Sequence, residues 1–181
     1  MAEHVILFTG PMGAGKTTAI QSLSEIDVVR TEANNSERHI VDKATTTVAL
    51  DYGEILIGAQ EKVRLYGIPG QKRFDFMWQI LVRDAIGVVI LIDNSQPDAM
   101  SHLDEFLISL EGYLRDVACV IGVGRTETHP MPSIDAFAAR LAFHGHVFPV
   151  IDVDVRRRGD VLMLVELLLT QAEARLMLER P

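Results

Sequence analysis

The sequence contains a single cysteine, Cys119, so no disulfide framework holds the chain together. Its setting, VACVIGV, points to a buried small hydrophobe rather than a reactive thiol. Basic charge is also scarce. Against 25 Asp and Glu there are 17 Lys and Arg, a net charge of −8 that leaves no footprint for nucleic acid or an anionic membrane surface. No apolar run approaches the about 20 residues that span a bilayer. The most apolar stretch, VLMLVELLL at 161–169, is broken by Glu166 and reads as a packed terminal helix. The opening MAEHVILFTG has neither the cationic head nor the cleavage site of a signal peptide, and neither a myristoylation start nor a prenylation box is present. The expectation is a cytoplasmic protein with no lipid anchor. The 6 histidines show no metal spacing beyond His144-Gly-His146, which reads as a loop.

What is present is a strongly apolar chain, 48% hydrophobic over 181 residues, enough for one domain over 1–181 with a sizeable core. Short β-branched runs at 4–9, 86–92, 117–123 and 147–151 read as buried parallel strands. Two further strands near 46–57 and 62–68 are separated by Gly58 to Glu61, the spacing of a hairpin with one antiparallel edge strand. Between them lie helical patterns. Phe74, Met77, Trp78 and Leu81 share one face; Met100, Leu103, Phe106, Leu107, Leu110 and Leu114 share another; Ile134, Phe137, Ala138 and Leu141 share a third. Residues 25–46 are polar and weakly periodic, and read as a functional loop. This alternation predicts an α/β fold, a mostly parallel sheet covered by helices on both faces, with the ligand crevice beyond the carboxyl ends of the strands.

One motif carries specific chemistry. GPMGAGKT at 10–17 places Gly, four residues and Gly-Lys-Thr between a predicted strand and a predicted helix. Gly10, Gly13 and Gly15 let the backbone bend so that N–H groups, including that of Ala14, and the helix amino terminus face phosphate oxygens. Lys16 is placed to span the β and γ phosphates, Thr17 to offer its hydroxyl to Mg²⁺, and Thr18 to bond an α-phosphate oxygen. Kinases, ATPases and GTPases all carry such loops, so the loop predicts nucleotide binding and leaves the reaction open. A small-molecule kinase would need an acceptor pocket and an arginine-rich lid.

Downstream, TTTVALDY at 45–52 and LYGIPGQKRF at 65–74 resemble, in order and spacing, switch I and switch II of Ras-like small GTPases. TTTVALDYG and the run PGQKRFDFMW more narrowly resemble the bacterial small GTPases encoded beside roadblock/LC7 proteins, distant relatives of the gliding-motility GTPase. The resemblance covers nearly the whole chain. It implies a three-layer P-loop NTPase with a six-stranded sheet and about five helices. It also implies a Mg²⁺-dependent GTP/GDP cycle, switch I over about 30–47, switch II over about 67–83, and a roadblock/LC7-type partner. By the same resemblance Thr47 is the switch I threonine that ligates Mg²⁺, with Thr45 and Thr46 as alternatives. Gly70 is the glycine whose N–H senses the γ-phosphate, and Gln71 orients the attacking water as a positional group rather than a strong base. Without the resemblance, the threonines are ordinary strand formers and Gln71 is a solvated residue at a helix start. Phe74, Phe76, Met77 and Trp78 read first as core and second as an effector patch.

The chain departs from that pattern twice. Where small GTPases have an aspartate supporting Mg²⁺, this chain has Gly67; Asp51 and Asp93 are candidates to compensate, although a plain role at a strand end is the simpler reading of both. Where guanine is normally read by Asn-Lys-x-Asp, this chain has Gly124-Arg125-Thr126-Glu127. Glu127 can accept the guanine N1 and N2 hydrogens from a longer arm, and Arg125 can lie along the base face. Gly124 has no side chain to replace the asparagine. A nucleotide-binding adaptor with little hydrolysis or relaxed base choice is therefore the rival to a GTPase switch. By the same resemblance Arg156-Arg157-Arg158 lies near where small GTPases contact guanine O6 through a backbone amide; as a charge run it reads first as a solvated or partner-facing turn. Arg38, Arg73 and Arg83 lie in or near the switches but match no arginine-finger position, so turnover is expected to be slow without a partner.

Overall fold

The computed structural model describes residues 2–33, 48–57, 61–70 and 75–178. Seven strands form one sheet: β1 (Ala2–Thr9), β2 (Val29–Ala33), β3 (Val48–Ile57), β4 (Glu61–Gly67), β5 (Ala85–Asp93), β6 (Ala118–Gly124) and β7 (Val150–Val153), in the order β2-β3-β4-β1-β5-β6-β7. The pairs of β1 with β4 and β5, of β5 with β6 and of β6 with β7 are parallel. β3 runs antiparallel to β4, and β2 antiparallel to β3.

The α/β layout matches the sequence reading, with two differences. A seventh strand, β2, lies inside the stretch 25–46 that the sequence presents as a loop, and it displaces the antiparallel strand β3 from the edge to the second position. Val29 and the alternating residues after it form a strand because β3 offers a ladder, with Arg30 opposite Asp51. Nothing local in that polar segment announces the pairing. The hairpin between β3 and β4 closes at Ile57 opposite Glu61, as its spacing predicts, and its turn lies outside the described residues.

Alternation along the central strands explains why helices cover both faces. Leu7, Val88, Ile90, Ile92, Cys119, Ile121 and Val123 point into one core layer; Ile6, Phe8, Val89, Leu91, Ala118 and Val120 point into the other. The first layer packs on α2 (Asp75–Leu81), α3 (Ala99–Ser109), the single turn α4 (Glu111–Leu114) and α5 (Ile134–Phe143). The second packs on α1 (Lys16–Leu23) and α6 (Arg158–Leu178), which buries Val161, Leu164, Val165 and Leu168. Met77 and Trp78 are core, with Trp78 stacked on Tyr113 at 6.4 Å between ring centroids. Ala138, expected on the inner face of α5, is exposed, and Phe137 and Leu141 alone form the helix's fully buried contact. Cys119 is fully buried and burial pushes its thiol far up, in keeping with an inert hydrophobe.

Candidate functional site

Thr9, Gly67, Asp93, Gly124 and Val153 end β1, β4, β5, β6 and β7, and the phosphate loop and two cavities lie beyond these ends. The loop's shape is set by its glycines. Gly10 has φ 147° and Gly15 φ 94°, both in the region that favours glycine, and a Cβ on Gly10 would stand 2.1 Å from the carbonyl oxygen of Leu91. Gly15 caps α1, so the unpaired N–H groups of the helix start face the loop's interior. Lys16 folds back over this loop, its Nζ donating to the carbonyl oxygens of Gly10 at 2.7 Å and Pro11 at 2.9 Å. Burial pulls its pKa down to about 8, and the charge of Asp51 only partly offsets this. Anionic phosphate oxygens at this position would favour the ammonium and raise the pKa again.

An acidic group stands beside position 67 on the neighbouring strand. Asp51 on β3 stands opposite Gly67 on β4, and its carboxylate accepts a short hydrogen bond from the Thr17 hydroxyl. The absence of a side chain at Gly67 makes the room, because a Cβ there would lie 3.2 Å from Asp51 Oδ2. Asp51 lies within β3 rather than at its end. Asp93, by contrast, organises a turn: it accepts from the N–H and hydroxyl of Ser95 at 2.9 and 2.6 Å. Burial opposes its ionisation, but the two Ser95 bonds and the Arg125 guanidinium outweigh burial and hold the carboxyl below its ordinary range. The Thr17 hydroxyl and Asp51 carboxylate are hard oxygen donors, the set that Mg²⁺ takes alongside phosphates and water, so the residues fit that ion.

Two cavities flank the phosphate loop, each of about 450 Å³. One runs over Lys16, Thr17, Asp51, Gly67 and Gly70, with Arg30 at its wall. Gly70 packs directly on the phosphate loop: a Cβ there would stand 2.7 Å from the oxygen of Gly10. Arg30, whose Nε lies 3.6 Å from Asp51 Oδ1, is a cation that the sequence does not single out, because it belongs to the strand hidden in the polar segment. The other cavity runs from Gly13, Ala14, Gly15 and Thr18 to Arg125, Glu127, Arg156 and Arg157. Asn94 ties down the loop that follows β6, donating from Nδ2 to the carbonyl oxygens of His129 at 2.6 Å and Pro132 at 3.0 Å.

The structure therefore brings Gly10, Gly13, Ala14, Gly15, Lys16, Thr17, Thr18, Gly70, Arg125 and Glu127 to one crevice. Thr47 and Gln71 lie outside the described residues. Arg125 adopts φ 63° and directs its guanidinium at Asp93 and Ser95, so its head group is engaged with protein. The three consecutive arginines divide their work. Arg156 and Arg157 line the cavity, whereas Arg158 donates to the carbonyl oxygens of Ser22 and Leu23 at the end of α1. His144 pairs with Asp104 at 2.9 Å, and among the described residues no group of three or more His, Cys, Asp and Glu is arranged to hold a metal ion.

Comparison with known proteins fits this geometry. The family model described as conserved hypothetical ATP binding protein matches residues 26–129. The chain belongs to that family. This member of the ATP-binding family is also similar to an uncharacterized protein of Methanocaldococcus jannaschii, 30% identical over 108 residues, which are 60% of this chain and 61% of that protein. It is 25% identical over 109 residues to intraflagellar transport protein 22 of Chlamydomonas reinhardtii, covering 59% of this chain and 53% of that protein. The alignments thus span between half and two thirds of the relatives' lengths. Among solved structures, the Arl6 BBS3 small GTPase of Trypanosoma brucei, solved with the nucleotide analogue GppNp, superposes with a TM-score of 0.70. That superposition covers 96% of this chain and 99% of that one at 14% identity, so the likeness is one of fold. The fold is that of a small GTPase. Among the described residues no helix is long and apolar enough to cross a membrane.

Proposed function

We propose that this family member is a molecular switch that binds GTP and GDP with Mg²⁺ and hydrolyses GTP slowly. The observation that carries the reading is the Thr17–Asp51 pair opposite Gly67, which supplies a hydroxyl and a carboxylate at the phosphate loop where the usual aspartate is missing. Thr17 and Thr47 are the proposed metal ligands, with Asp51 holding the Thr17 hydroxyl in position. Mg²⁺ bound there would neutralise charge on the β and γ phosphates. Lys16 would exchange its two carbonyl partners for phosphate oxygens, a stronger charge-assisted pairing. Thr18 would bond the α-phosphate, Gly70 would report the γ-phosphate to switch II, and Gln71 would hold the attacking water in line. The similarity of the switch segments extends the proposal to a roadblock/LC7-type protein as the partner that reads the GTP form in the cytoplasm.

A second reading is a nucleotide-bound adaptor with weak hydrolysis or relaxed base choice. It is favoured by the engaged Arg125 and by the family's description as ATP binding. Equilibrium binding of GDP, GTP, ADP and ATP to nucleotide-stripped protein, with and without Mg²⁺, tests the proposal. Guanine preference that strengthens with Mg²⁺ is expected. Adenine preference would overturn the guanine assignment, and absence of binding would overturn the nucleotide reading altogether. Single-turnover hydrolysis then separates switch from adaptor: Gln71→Ala is expected to slow it, and an unchanged rate removes Gln71 from catalysis.

A further inference from the structure

We infer that Phe106 on α3 is a positioning residue for the terminal phosphate: its ring backs Gly70, so that the N–H of that glycine is held for a nucleoside triphosphate and lies out of a diphosphate's reach. The assignment, which rests on the nucleotide reading above, gives a role in the site to a residue that helical spacing presents only as core. Gly70 is hemmed in by two groups. A Cβ on it would stand 2.3 and 2.9 Å from Phe106 Cζ and Cε1, and 2.7 Å from the Gly10 carbonyl oxygen. Both groups therefore lie against the glycine backbone. The φ of Gly70 is outside the left-handed region, so packing rather than backbone angle calls for glycine here.

The two groups differ in firmness. The Gly10 oxygen belongs to the phosphate loop and also accepts from Lys16 Nζ at 2.7 Å, a bond that Lys16 exchanges when it turns to phosphate oxygens as proposed above. Phe106 is 6% exposed and sits with Leu103, Leu107 and Leu110 in the core layer under α3. Its ring is thus anchored in the core while its edge meets the loop. The same residue forms part of the wall of the cavity over Lys16, Thr17 and Gly70. Spacings of three and four residues put His102, Glu105 and Phe106 on one face of α3, and all three line that cavity. His102 and Glu105 bring polar groups to it, whereas Phe106 brings only shape.

A glycine in a loop has no side chain of its own to fix it, and an N–H that must be ordered on binding loses part of its hydrogen bond to entropy. A ring anchored in the core removes that slack beforehand, the preorganisation that makes a donor effective toward negative charge. The gain appears only where an acceptor stands before the N–H. A γ-phosphate oxygen supplies one, and a chain of two phosphates ends short of it. Phe106 thereby acts on triphosphate affinity and leaves diphosphate affinity alone. A phenylalanine that merely fills the core has a different signature, in which its truncation lowers stability and weakens both nucleotides alike.

Equilibrium binding of GDP and GppNp to the full chain with Mg²⁺, or of ADP and AppNp should the base prove to be adenine, tests the assignment, with thermal melting alongside. Phe106→Leu keeps an apolar side chain in the layer and removes the ring atoms that meet Gly70. Its triphosphate-analogue affinity is expected to fall about tenfold, the worth of one hydrogen bond to a charged group, while diphosphate affinity changes by less than about twofold. Phe106→Met, which keeps the reach but not the flat ring, should fall between the two and carries the test if Phe106→Leu does not fold. Leu110→Val thins the same layer one turn further on, and should lower the melting temperature without altering the ratio of the two affinities. Gly70→Ala should lower triphosphate affinity by itself, and Phe106→Leu in that background should add nothing, because both act through one N–H. Equal loss of diphosphate and triphosphate affinity in the Phe106 variants, or a full further loss in the Gly70→Ala background, makes Phe106 an ordinary core residue and overturns the inference while nucleotide binding stands. Failure of the wild-type chain to bind any of these nucleotides overturns the nucleotide reading and the inference together.

Discussion

Removal of the Asp51 carboxylate should uncouple nucleotide binding from Mg²⁺. Asp51 is 8% exposed, accepts the Thr17 hydroxyl and faces Gly67 across the β3–β4 pair. Loss of a group that orients a metal ligand typically costs 10- to 100-fold in metal affinity, about 1.4–2.7 kcal/mol. Stability should fall by about 1–3 kcal/mol, because the Thr17 bond is part-buried and charge-assisted; Arg30, 64% exposed and 3.6 Å away, adds little to that figure. Asp51→Asn keeps the shape and removes the charge, and the rate of GDP release with Mg²⁺ or with chelator reads the effect. The structure also specifies a rescue. A Cβ on Gly67 would stand 3.1 Å from the Cβ of Asp51 and 3.0 Å from Ile20 Cδ1, so Gly67→Asp alone crowds two like charges into one place. Combined with Asp51→Ala, which removes that carboxylate but keeps its Cβ, Gly67→Asp returns a carboxylate to the Thr17 hydroxyl, with the Cβ of residue 51 and the flexible end of Ile20 each to give by a few tenths of an ångström. Magnesium dependence should be weak in Asp51→Ala and restored in the double variant. Full Mg²⁺ dependence in a folded Asp51→Ala would refute the reasoning.

Two other perturbations follow from the loop itself. Lys16 has its pKa lowered to about 8 in the free protein, and bound phosphate favours its charged form, so binding takes up a proton above that pH. Nucleotide affinity should fall as pH rises past about 8, by at most tenfold per pH unit, whereas Lys16→Met should flatten the profile; an unchanged slope in that variant assigns the effect elsewhere. The sign for stability is opposite: burying the ammonium opposes folding at neutral pH, and this opposition fades between about pH 8 and the unfolded lysine range near 10.5. Gly10→Ala should abolish nucleotide binding and lower the melting temperature, because its Cβ would overlap the Leu91 carbonyl oxygen at 2.1 Å and strain a left-handed backbone. The companion Gly13→Ala meets nothing within 4 Å but still requires φ 81°, so a milder loss of stability is expected from strain alone, about 1 kcal/mol, as thermal melting would show.

The sequence alone determined those features whose physics is local or periodic. The phosphate loop is legible because eight consecutive residues contain the glycines, the lysine and the threonine it needs, and a strand and a helix flank it. The core helices are legible because Leu103, Phe106, Leu107 and Leu110 recur at helical spacing, and the central strands because residues such as Ile90 and Leu91 serve opposite faces of a doubly covered sheet. Tertiary structure alone decided the rest. β2 exists through its ladder with β3, so a polar, weakly periodic segment gives no local sign of it. Asp51 and Thr17 are 34 positions apart, and only the antiparallel register that sets Asp51 opposite Gly67 shows the carboxylate entering from the adjacent strand. Arg156, Arg157 and Arg158 look equivalent in sequence, yet the turn after β7 sends the first to Asp154, the second toward Glu127 and the third to the end of α1. Periodicity states which side of an element faces the core; which charged groups meet across the crevice depends on strand register and loop path, and these are settled when the sheet assembles.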